Sequence, residues 1–238
     1  MAGRYAELIT KLHKWRYRHV SSKRFIYVMS IAVGLLAGLA SVTLKNLTYF
    51  IEALLEKGII FSDNQLYFII PIIGLTLVFI YVKYVHKERM EHAVSSILYA
   101  LSRKRGIMSL KQISGPLITA PLTVGFGGSV GLEGPTVATG TAWGSWLARF
   151  FRLNYKNTIL MLACACAGAM AAIFKAPIAA IVFAVEVIMI DLTVFSLVPL
   201  LLASATAVVT SYFFLGQDVL YPFEVKLAFE LADLPYYI

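Results

Sequence analysis

Long apolar runs separated by short clusters of lysine and arginine narrow what this chain can become more than any other feature. No charged side chain occurs from Phe25 to Leu44, a run matching the roughly 20 residues needed to cross a hydrocarbon core. Within it Gly34 and Gly38 stand four apart, a spacing that lets a second helix approach closely. Lys45–Gln65 is mixed enough for a helix extension and an external loop. Leu66–Val85, with Pro71 near its start, reads as a second span; Lys83, His86, Lys87 and Arg89 mark its basic end. Thr158–Phe174, Ile178–Ile190 and Leu192–Leu215 continue the pattern. Only 14% of residues are charged and mean hydropathy is +0.77, against about 25% charged in soluble domains. A polytopic membrane protein of all-α class is the consequence.

The net charge of +8 does not point to nucleic acid, because no basic face is interleaved with base-stacking aromatics on a soluble module. Basic loops held on the cytoplasmic side account for it. Residues 1–24 carry Arg4, Lys11, Lys14, Arg16, Arg18, Lys23 and Arg24 against Glu7. They read equally as a surface amphipathic helix or a solvated tail, and in both cases the N-terminus is cytoplasmic. Residues 25–238 form the transmembrane domain. Cys164 and Cys166 lack the further Cys or His ligands of a metal site and read as buried apolar thiols. Trp143 and Trp146 suit interface anchors or packing positions.

One stretch breaks the pattern. Between Lys111 and Arg149 the only charged side chain is Glu133, in Gly127-Gly128-Ser129-Val130-Gly131-Leu132-Glu133-Gly134-Pro135-Thr136. A carboxylate at membrane depth costs at least a few kcal/mol and is a functional hypothesis by default. The glycines disfavour regular helix and let backbone approach a ligand. Pro135 suits the first position of a helix. The apolar pieces on either side, Gln112–Val124 and Pro135–Phe151, are interrupted by Gly115-Pro116, Pro121 and the glycine segment. Such broken, re-entrant segments belong inside protein or beside a watery cavity, and they point to a transporter's binding site. Ala93–Leu101 is too short to span and reads as a serine-capped half-helix.

Gly128-x-x-Gly131-x-Glu133-Gly134-Pro135-Thr136-Val137, followed by a small-residue helix and Phe174-Lys175-Ala176-Pro177, resembles the CLC family of chloride channels and chloride/proton antiporters. The resemblance implies a membrane domain of two inverted repeats, of which this chain would be the first, with the second absent. It implies that amides around Gly131, Leu132 and Gly134 face chloride at a helix N-terminus, where free N–H groups and the dipole favour an anion. Glu133 would be the gating glutamate, its carboxylate mimicking chloride. The family's earlier Gly-Ser-Gly-Ile-Pro-Glu motif is replaced by Glu91-His92-Ala93-Val94-Ser95-Ser96. His92 falls where the chloride-coordinating serine would be, so His92 and Ala93 are candidate chloride contacts, with a structural histidine the competing reading.

In the antiporters a second glutamate relays protons and directly follows the position of Glu186. Here that position is Val187, which cannot bind a proton. The expectation is therefore chloride-selective passive conduction gated by Glu133, with no proton relay and with chloride/proton antiport as the alternative. Glu186 is expected to pair or cap within the protein. No cofactor, metal or enzymatic activity is expected. The implied partners are chloride, membrane lipid, a second copy in a homodimer, and a C-terminal half or complementary subunit that closes the pore. The location implied is the plasma or inner membrane.

Two other classes compete. Gly127-Gly128-Ser129-Val130-Gly131 satisfies G-x-S-x-G, but a hydrolase elbow needs a strand before Ser129 and a later histidine. All four histidines precede it. A structural membrane subunit would leave Glu133 without a purpose.

Overall fold

The computed structural model describes residues 21–57, 69–87, 92–191 and 193–216, and all regular structure among them is helical. The helices are α1 Ser22–Lys57, α2 Ile70–Ile80 continued by a π-helical turn Tyr81–His86, α3 Ala93–Arg103, α4 Lys111–Gly125, α5 Glu133–Phe150, α6 Tyr155–Phe174, α7 Pro177–Ile188 and α8 Val194–Leu215. The basic N-terminal segment up to residue 20, the external loop and the C-terminal tail read from the sequence lie outside the described residues.

Among the described residues three helices are long and apolar enough to cross a membrane: α1, α6 and α8. The central one is α6. Ala163, Cys164, Ala165, Cys166, Ala167, Ala169 and Ala171 are all without solvent exposure, because small side chains let α1, α5, α7 and α8 close around it. In the absence of a hydrophobic force between helices in lipid, this close packing holds the bundle together. Gly34 meets α8 so tightly that a β-carbon there would overlap the Thr206 hydroxyl and the Ala203 carbonyl. At Gly38 it would lie 3.1 Å from the Ala207 backbone. The four-residue glycine spacing thus does what its sequence implies. On α5, Gly140 and Gly144 leave room for the Ala169 and Ala165 methyls of α6.

Several boundaries differ from the sequence reading. α1 is 36 residues long and ends at Lys57; the helix extension after Lys45 is as expected, but the apolar span reaches Leu55 rather than Leu44. The second span is shorter than read, beginning at Ile70 with Pro71 in its first turn. α4 runs unbroken through Pro116 and Pro121. Both prolines are buried against neighbouring helices, which hold the helix together where two backbone bonds are missing. α3 is a short helix as expected, but its N-cap is His92 without a side-chain cap bond. Ser96 instead donates to the Ala93 carbonyl at 2.8 Å.

The basic loops gather at one end. Lys111 Nζ donates to the His86 carbonyl at 3.2 Å, Ser145 Oγ to the Gly106 carbonyl at 2.7 Å and Tyr155 to the Leu101 carbonyl at 3.4 Å. These bonds draw Arg103, Lys104, Arg105, Arg149, Arg152 and Lys156 toward the same face. A ring chain through Trp143, Trp146, Phe150, Phe151 and Phe25, with centroids 5.1–5.6 Å apart, packs the start of α1 there.

Candidate anion site

The site is built where α4 stops. Phe126 caps α4, and Gly127 takes φ +83°, a left-handed conformation costly for any side chain with a β-carbon. Gly128 N–H then donates back to the Thr123 carbonyl at 2.9 Å, and Val130 N–H to the Gly128 carbonyl at 2.9 Å. The chain crosses residues 128–132 without helix and restarts at Glu133. Pro135 is therefore the third helical residue rather than the first. Its missing N–H still falls in the first turn, where helical donors have no internal partner.

No side chain caps α5. Among the described residues the N–H groups of Gly131, Leu132, Glu133 and Gly134 donate no backbone bond, while Thr136 N–H is the first to bond, to the Leu132 carbonyl at 3.0 Å. Open amides at the positive end of an 18-residue helix form an anion-binding environment. The start of α3 meets the same place: a β-carbon on Gly134 would sit 3.7 Å from that of Ala93. Two helix N-termini thus converge, bringing Ala93 beside Gly134 and its neighbours. His92, just before α3, is exposed.

The Glu133 side chain is half-buried and folds back over Gly131, where a β-carbon would overlap its carboxylate. Its carboxylate makes no hydrogen bond or ion pair within the described residues. Leu132 turns the other way, packing with Leu44, Ala120 and Ile173 and anchoring the start of α5 to three other helices. Val187 packs half-buried on the core near the end of α7. Glu186 is exposed and has no partner among the described residues, contrary to the expectation that it pairs or caps.

Ser129 follows a helix and a glycine turn, not a strand, which removes the geometry a hydrolase elbow requires. Among the described residues no group of His, Cys, Asp or Glu is arranged to hold a metal ion.

A family model described as "Voltage gated chloride channel" matches residues 73–238, which include the whole of this site. The chain belongs to the CLC family. The CLC relatives include the H(+)/Cl(-) exchange transporter ClcA of Vibrio cholerae, 30% identical over 168 residues that cover 68% of this chain and 36% of ClcA. Among solved structures, a CLC-type fluoride/proton antiporter superposes with a TM-score of 0.66 at 27% identity, over 86% of this chain and 51% of that one. A slow cyanobacterial Cl-/H+ antiporter superposes with a TM-score of 0.72 at 19% identity, over 92% and 53%, a likeness of fold. The chain spans between about a third and a half of these CLC proteins.

Three residues of consequence escaped the sequence reading. Lys45, assigned to a polar extension, is 1% exposed inside the bundle, its ammonium 5.3 Å from the Tyr49 ring centroid. The signal was present: Gly34, Ala37, Gly38, Ser41, Lys45 and Thr48 follow helical spacing, and the whole stripe is buried. Thr136 and Thr139 of α5 are equally buried, and their hydroxyls have no partner among the described residues.

Proposed function

We propose that this chain forms one wall of a proton-coupled anion exchange pathway, with Glu133 as the group that alternates between carrying a proton and occupying the anion position. The observation that carries the reading is the start of α5: a carboxylate without a partner among the described residues, folded over Gly131 beside amides that donate no backbone bond there. Such an end binds either an external anion or the tethered carboxylate, and competition between the two couples them. Protonation removes the charge that lets Glu133 compete. The amides of Gly131, Leu132 and Gly134 are the chloride donors in this scheme, with His92 and Ala93 lining the opposite side.

Exchange replaces the passive conduction inferred from Val187. ClcA and the CLC-type fluoride/proton antiporter are named as exchanger and antiporter, which supports coupling. Proton transfer at Val187 is chemically excluded, so protons would reach Glu133 by another route. Passive chloride conduction gated by Glu133 is the second reading, and Val187 is the observation favouring it. Chloride is the proposed cargo and no cofactor is invoked. The basic end, where α1 begins, is assigned to the cytoplasmic side of a plasma or inner membrane. Lipid and a second copy are the proposed partners for exposed Ile178, Val182, Val194 and Leu201.

Reconstitution of the full-length protein in liposomes decides between the readings. Exchange predicts a reversal potential that moves with the pH gradient and proton uptake driven by a chloride gradient. Glu133→Gln should abolish proton movement while chloride flux persists. A wild-type reversal potential indifferent to pH would establish passive conduction instead.

A further inference from the structure

Two threonine hydroxyls on α5 depart from a pattern that other helical threonines follow. Thr43, Thr48, Thr119, Thr123, Thr141 and Thr206 each donate to the carbonyl four residues earlier, at 2.6–3.1 Å. Thr136 and Thr139 do not, although each is 1% exposed and neither oxygen has a partner among the described residues. Thr141, two residues further along the same helix, bonds back to Val137 at 2.6 Å, so the local option exists on α5. A buried hydroxyl without a partner is a standing cost, and a small polar molecule is what relieves it.

The surroundings fix the class of that molecule. Leu132 and Gly140, one turn before and after Thr136 on the same face, pack against α1, α4 and α6 through Leu44, Ala120, Ile173, Ala37 and Ala169. The side chains in these contacts are apolar, and the polar atom close to Gly140 is the Ala165 carbonyl of α6. An ion would need more ligands than two hydroxyls supply, whereas one water takes two to four polar partners. Side chains three apart on a helix have β-carbons about 5–6 Å apart, a gap one water spans with two ordinary hydrogen bonds of about 2.7–2.8 Å.

We propose that Thr136 and Thr139 hold a shared buried water, and that this water extends the polar path inward from Glu133, three residues before Thr136. The two threonines are then positioning residues for the proton carried by Glu133. That second part rests on the exchange reading; the water site itself does not.

The test uses full-length protein carrying Thr136→Val, Thr139→Val and both, since valine keeps the shape and removes the hydroxyl. A shared water predicts that each single variant lowers Tm, by about 2–4 °C, and that the double variant loses scarcely more than either single. A rise in Tm would mean the hydroxyls are dry, and additive losses would mean they act separately; either outcome overturns the shared water. In liposomes the proton-to-chloride ratio should fall at retained chloride flux. Lowered Tm with an unchanged ratio overturns the link to Glu133 and leaves the water. If the wild-type protein moves no protons, the exchange reading fails while the Tm series still tests the site.

Discussion

The two ends of one helix face opposite physical demands. Around Gly140 and Gly144, α5 is pressed against α6, and a β-carbon at either glycine would meet an α6 methyl at 2.5–2.6 Å. At its start the same helix leaves its amides unpaired, its cap position without a side-chain bond, and its carboxylate free to fold over Gly131. The first region spends its glycines on closeness between helices. The second spends them on room for something that comes and goes. The contrast teaches that small residues in this chain have two uses, and that the nearest atoms tell them apart: backbone and methyl groups in the seam, a movable side-chain terminus at the site.

The largest expected effect breaks the matching glycine seam between α1 and α8. Gly34→Leu would drive a branched side chain into the Ala203 backbone and the Thr206 hydroxyl of α8, and neither helix can yield without parting from α6. We expect a loss at or beyond the upper end of the roughly 1–3 kcal/mol typical of overpacking. Size-exclusion profile and thermal unfolding in detergent are the measurements. A monodisperse variant with unchanged Tm would show that the α1–α8 contact is not what holds the bundle.

Gly131→Ala sharpens the comparison, because the obstacle is the end of a flexible side chain rather than backbone. The added methyl would displace the Glu133 carboxylate while stability changes by no more than about 0.5 kcal/mol. Coupling between proton and chloride movement should drop well below wild type in a protein that folds normally. A large fall in Tm would mean that the loop is as rigid as the seam. His92→Ala should do less. Its side chain is exposed and makes no capping bond, so a change in chloride affinity below about tenfold, or 1.4 kcal/mol, is expected in isothermal titration. A larger loss would place His92 among the principal anion contacts.

How legible these regions were follows from the same contrast. The seam could be read from Gly34 and Gly38 because close packing leaves a periodic trace. The site could be read from the lone Glu133 and the glycines before it, since an isolated charge and an unwound segment are both local signals. Pro116 and Pro121 were misread as breaks: their cost is local, whereas the packing that tolerates them is tertiary. Lys45 was misread because a lysine ends a hydropathy window regardless of which helix face it occupies. The serines of α3 were misread as caps, since Ser96 serves the helix from inside its first turn. The partnering of Thr136 and Thr139 leaves no sequence trace at all, as a hydroxyl's choice between its own helix and a neighbour is settled only by packing.

The smallest expected effect concerns Cys164 and Cys166, which lie in the seam and not at the site. Both are completely buried and unbonded to one another. A maleimide needs an accessible thiolate, so neither should label in the folded protein in detergent, and both should label after denaturation. Labelling under native conditions would mean that α6 is exposed by opening of the bundle. The seam would then share the mobility proposed for the start of α5, and the distinction between the two ends of that helix would fail. Protection of both thiols during chloride-driven turnover, with Glu133 chemistry proceeding, would confine the motion to the carboxylate and its glycine loop.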